Sequence, residues 1–131
     1  VSAIKPLVEA NASFEQIGVN ELSLQTKCIL NYFSSLQFEY GEDWELNTNA
    51  FQYSAGFSAA CEFFMLKIIP YCNGKGSFEI DTIQKALKIK ENGLIKQEEV
   101  SGKGGKEAVR VIYNRLEAAF SPDVQAVGLK F

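Results

Sequence analysis

From Ser58 to Ile69 the chain reads SAACEFFMLKII, apolar on almost every side of a helix apart from Glu62 and Lys67. Such a segment has little polar surface to turn toward water, so the remaining elements must be built around it as a buried central helix. Pro70 is expected to end it, because proline lacks the N–H that the next turn needs. A chain of 131 residues is one domain's worth and long enough to enclose a core of this kind without disulfides or metal. The longest apolar run, Phe63 to Tyr71, is interrupted by Lys67 and Pro70 and falls well short of the roughly 20 residues a membrane helix needs, so no membrane partner is expected.

The chain has no histidine. Its absence removes Ser-His-Asp and Cys-His catalysis and imidazole metal ligation together. Cys28, Cys61 and Cys72 are an odd set, at spacings that match neither a metal knuckle nor a closed disulfide framework, so they read as reduced core side chains. Val1 to Asn20 lacks the basic start and continuous apolar stretch of a secretory leader, and the expected location is the cytoplasm. Glu42-Asp43 and Glu98-Glu99 are neighbours in sequence, and neighbours on an extended strand point to opposite faces, so neither pair reads as a catalytic dyad. No enzymatic activity, cofactor or metal is expected.

Charge is distributed unevenly beneath a formal total of −3. Residues 1–66 carry two lysines against eight acids, whereas residues 67–115 carry ten lysines and arginines against six acids. Clustered positive charge raises the local potential whatever the total, which suits either a polyanionic partner or a solvated lysine-rich surface.

Residues 1–20 read as an N-terminal arm with a short helix around Pro6 to Ala12. Glu21 to Leu36 places Leu24, Cys28, Ile29, Tyr32, Phe33 and Leu36 at intervals of three and four, one face of a helix capped by Asn20 or Ser23. Phe38 to Asp43 reads as a loop and Trp44 to Asn47 as an extended segment. Asn47-Thr48-Asn49 precedes one or two helical turns that Gly56 is expected to stop. Beyond the central helix, Tyr71 to Ser77 reads as a connector. Asp81 and Gln84 have the spacing of a capping box, opening a helix with Ile83, Ala86 and Leu87 inward, Gln84, Lys85 and Lys88 outward, and a stop at Asn92-Gly93. Leu94 to Val100 and Val109 to Tyr113 read as strands, joined by the hairpin loop Ser101 to Ala108. The lysines and glycines of that loop do not make a nucleotide P-loop, since Lys106 is followed by Glu107 and then by a strand-like run rather than by Ser or Thr opening a helix. Arg115 to Phe120 can be a short helix, and residues 121–131 form a tail.

In this order, Thr82-Ile83 followed by Lys90-Glu91-Asn92-Gly93-Leu94-Ile95-Lys96, a strand, a Gly-Lys hairpin and a second strand, the sequence resembles winged helix-turn-helix domains. The start at Leu22-Ser23-Leu24 is similar to that of phage and plasmid replication proteins with this fold. The resemblance implies an α+β fold, with three or more helices and a small antiparallel sheet, over residues 21–120. Asp81 to Glu91 would be its recognition helix and Ser101 to Ala108 its wing. Thr82, Gln84, Lys85 and Lys88 would then face the major groove, and Lys103, Lys106 and Arg110 would reach backbone phosphates. The implied partner is double-stranded DNA, and since a single module buries a modest interface, a homodimer is expected. The eleven residues from Pro70 to Ile80 exceed the tight turn usual between the two helices of such domains. Winged helices also serve as protein-interaction modules, so a protein partner or assembly role is the alternative.

Overall fold

A computed structural model describes residues 14–15, 18–19 and 21–122 of the chain. The expected arm helix and most of the expected tail lie outside them.

Among the described residues the protein is helical throughout, with no strand and no sheet. Five helices carry the fold: α1 (Leu22–Tyr40), α2 (Ser54–Lys75), α3 (Ile80–Ala86), α4 (Ile89–Asn92) and α5 (Gly105–Ala119). Short 3-10 turns at Gly41–Glu45, Ala50–Gln52 and Gln97–Val100 supply the corners. The α+β winged-helix expectation is therefore wrong.

The central helix is longer than its sequence suggested, at both ends. Gly56 does not stop a preceding helix but sits in the first turn of α2, where a Cβ would overlap the carbonyl of Ala50; glycine is what lets α2 lie against the Ala50–Gln52 turn. Pro70 does not end it either. The turn Phe64–Ile68 is a π turn, closed by the Ile69 N–H donating to the Phe64 carbonyl, and the helix runs on past Pro70 until Gly76 caps it in the left-handed region at φ 69°. A widened turn just before proline eases the clash of its ring with the preceding carbonyls. Over this length α2 is apolar and long enough to cross a bilayer, but about half of its apolar stretch is buried inside the protein.

Aromatic packing joins α1 to α2. The Tyr32 ring lies 5.0 Å from Phe64 and its hydroxyl donates to the Ala60 carbonyl at 2.8 Å, while Phe33 stacks on Phe57 at 5.7 Å. Tyr40, at the end of α1, meets Phe51 just before α2 at 5.7 Å, whereas Tyr32, two turns earlier, meets Phe64 further along α2, so the two helices are antiparallel. Beyond α1 the chain turns rather than extending: Phe38 to Tyr40 is still helical, and Trp44 and Glu45 belong to a 3-10 turn. Asn49 is buried because its amide donates to the Trp44 carbonyl while its side-chain oxygen accepts from the Phe51 N–H.

The expected recognition helix is broken. Glu79, not Asp81, precedes its first turn, with no side-chain cap bond, and α3 stops at Ala86 because the backbone there is engaged elsewhere. The Ala86 carbonyl accepts from Ser121, Leu87 pairs with Phe120 in a single antiparallel bridge, and the Lys88 N–H donates to the Ala119 carbonyl. Each is a group that a continuous helix would have used for itself.

Neither wing strand forms. Leu94 to Lys96 passes through one bridge, Lys96 with Asn49, into the Gln97–Val100 turn. Val109 to Tyr113 lies inside α5, whose buried row Ala108, Ile112, Leu116 and Ala119 faces the core at intervals of four, four and three. Five alternating residues fit either period, and the longer row decides it.

Candidate functional site: a groove between α2 and α5

Three contacts fix the direction of α5 on α2. Phe63 meets Tyr113 at 5.5 Å between ring centroids, Lys67 pairs with Glu117 at 3.4 Å, and Tyr71 meets Phe120 at 5.6 Å. Both partners advance together, so the helices run parallel and their N-termini lie at one end. Along that end the two packed helices are lined by an open groove of about 900 Å³. Its walls follow helical spacing: Ser54, Ser58 and Glu62 on α2 face Lys106, Arg110 and Asn114 on α5, with Ala55, Val109 and Tyr113 forming an apolar floor. A second cleft, beside Tyr40, Asp43 and Lys96, holds only about 150 Å³, less than small-molecule sites usually offer.

Several sources of positive potential meet at the mouth of the groove. Lys106 and Arg110 sit one turn apart, and among the described residues neither makes an ion pair. Neither α2 nor α5 has a side-chain cap on its first turn, which leaves partly positive backbone N–H groups at both ends. Gly102, Gly104 and Gly105 present that backbone without side-chain cover. Lys103, three residues before Lys106, does not line the groove and is paired with Glu107 at 3.5 Å. Deeper in, Glu62 supplies the groove's one carboxylate. The Tyr113 hydroxyl is held protonated, its pKa raised by burial and by the nearby Glu117 and Glu62 carboxylates.

The seven residues expected to bind nucleic acid divide into two groups. Lys103, Lys106 and Arg110 come together at the start of α5, on a helix and its approach rather than on a wing. Thr82, Gln84, Lys85 and Lys88 do not join them. The Lys88 backbone touches Ala119 at the far end of α5, a helix about 22 Å long. The Thr82 hydroxyl is shared with Ser77 at 2.8 Å, and Gln84 is half-buried. Ser54, Ser58, Glu62, Tyr113 and Asn114 were not singled out from the sequence. Their signal was the four-residue spacing of two polar rows, concealed by reading one row as a strand and by beginning α2 at Ser58.

The three thiols lie in the core. Burial pushes Cys61 up to about 11 and Cys72 up to about 12, and raises Cys28, so none is a ready nucleophile near neutral pH. Among the described residues no cluster of acids and cysteines could hold a metal ion. No family model matches the chain, and no curated protein or solved structure matches it either.

Proposed function

We propose that the protein binds nucleic acid, with backbone phosphate held at the mouth of the groove between α2 and α5. The observation that carries this reading is the pair Lys106 and Arg110, one turn apart on the wall of an open groove and without an ion pair among the described residues. Uncapped helix starts and an exposed glycine backbone favour the same anion. Phosphate contacts of this type position a strand without reading its sequence.

A titration of labelled oligonucleotide against the full chain tests it. Two to three phosphate contacts predict an affinity loss of roughly 10- to 40-fold between 50 and 200 mM salt. Lys106→Glu with Arg110→Glu should remove both the binding and its salt dependence; absence of binding at low salt, or a double variant that binds like the parent, overturns the proposal.

A protein-assembly role is favoured by a different surface. Leu30 and Phe38 lie on one exposed face of α1 with 59% and 67% of their surface open, on either side of Ser34. Solvent-facing apolar groups at helical spacing suit contact with another chain. Sedimentation over a range of concentrations, with Phe38→Ser as the control, tests whether that chain is a second copy.

A further inference from the structure

The groove changes chemistry along its length. At the mouth stand Lys106 and Arg110; one turn further in the floor becomes the Tyr113 ring, and beyond it the walls offer the Glu62 carboxylate and the Asn114 amide. A ligand that matches this order is anionic at one end, flat and apolar in the middle, and carries hydrogen-bond donors at the other.

We infer that the groove takes an unpaired nucleotide of a single strand, its phosphate at Lys106 and Arg110, its base on Tyr113, and an exocyclic amino group on Glu62. This rests on the nucleic-acid reading above and narrows it from nucleic acid in general to a single strand with an amino-bearing base. Three features carry it. The Tyr113 ring is held edge-on by Phe63 at 5.5 Å and 67°, which fixes its plane while the residue still lines the groove. Fixed aromatic rings are the platforms on which splayed bases stack. Glu62 is otherwise out of place in a phosphate-binding groove. Among the described residues no side-chain hydrogen bond or ion pair engages its carboxylate, and a carboxylate accepts from the amino group of cytosine or adenine. Finally, a duplex keeps its bases paired and stacked and so cannot place one between two helices.

Anisotropy titrations of the full chain with oligo(dC), oligo(dT) and a duplex of equal length test this. Oligo(dC) should bind about tenfold more tightly than oligo(dT), and the duplex more weakly than both. Tyr113→Ala should weaken strand binding by roughly 5- to 150-fold, the range for losing one base stack, and leave the duplex unchanged, while Tyr113→Phe retains it. Glu62→Gln, on the groove wall, should abolish the preference for oligo(dC) without abolishing binding, which keeps the test decisive if Tyr113→Ala does not fold. Equal affinity for duplex and strand, or equal affinity for oligo(dC) and oligo(dT), overturns the inference while leaving the phosphate reading intact if Lys106→Glu still weakens binding. Failure of all three oligonucleotides to bind overturns the underlying reading instead. Free dCMP that displaces the strand at equal nucleotide concentration would assign the groove to mononucleotides and overturn the strand inference.

Discussion

The two lysine-bearing ends of α5 have similar side chains and different surroundings. At its C-terminal end, Lys85 and Lys88 project from a seven-residue helix and the break that follows it, with Asp81 in the first turn of that helix. At its N-terminal end, Lys106 and Arg110 stand on a 15-residue helix, beside a second parallel helix and above a hollow of about 900 Å³. Charge count alone would rank the two ends equally. Backbone orientation and concavity distinguish them, because both concentrate potential where a ligand can enter.

The largest test removes the core that both ends share. Cys61, Cys72, Tyr32 and Tyr40 all have pKa values raised by burial above the ordinary 9.0 for Cys and 10.0 for Tyr, so the folded chain resists their ionisation. A raised pKa gives stability that is complete below the unfolded value and is lost as pH rises through the folded one. Denaturant midpoints should therefore stay flat up to about pH 8.5 and fall steeply from about pH 9 to 12. A midpoint unchanged at pH 11 would show that these groups open to water without loss of structure.

The next test strikes the groove end alone. Gly56→Ala puts a methyl into the Ala50 carbonyl, where only backbone can yield, and should cost about 3 kcal/mol in chemical denaturation while also distorting the groove wall. Gly74→Ala, where a Cβ meets nothing, is the matched control at the other end of α2 and should leave stability unchanged or raise it by up to about 1 kcal/mol.

A smaller effect is expected at the clasp that leads into α5. The Tyr40 hydroxyl donates to the Ile95 carbonyl at 2.6 Å and accepts from the Ile95 N–H at 2.9 Å. Tyr40→Phe leaves a buried donor unpaired and should cost about 2 kcal/mol. Smallest of all, Lys85→Glu with Lys88→Glu should change oligonucleotide affinity by less than about twofold, as long-range charge alone is screened beyond about 8 Å at physiological salt. A loss matching that of the Lys106 and Arg110 double variant would return the interface to α3 and erase the distinction between the two ends.

Burial was more legible in the sequence than backbone continuity. The inward face of α1 was visible in Cys28, Tyr32 and Leu36, all buried, although Leu24 at the helix start is 49% exposed. Ile83, Ala86 and Leu87 were also placed correctly. Ile89 is fully buried as well, because the break at Leu87 turns the chain and starts a new helix there. That break depends on residues 119–121, more than thirty positions away, and no local pattern contains it. The cationic trio Lys103, Lys106 and Arg110 was legible as a cluster. Its scaffold was not, since Val109, Val111 and Tyr113 have strand-favouring side chains and only the row from Ala108 to Ala119 reveals the helix. Glycines at 102, 104 and 105 suit a hairpin tip and an open helix start equally well.

The π turn at Phe64–Ile68 also bears on how this chain can change length. A π turn is an α-helix with one residue inserted, taken up by a single wide loop of backbone. Removing one residue there, together with replacing Pro70, should let α2 relax to regular helix while Phe63 and Cys72 keep their bearings. At Gly56, by contrast, not even a methyl group can be accommodated. One helix would thus hold a position that can lose a residue a few turns from one that can gain not even a side-chain carbon.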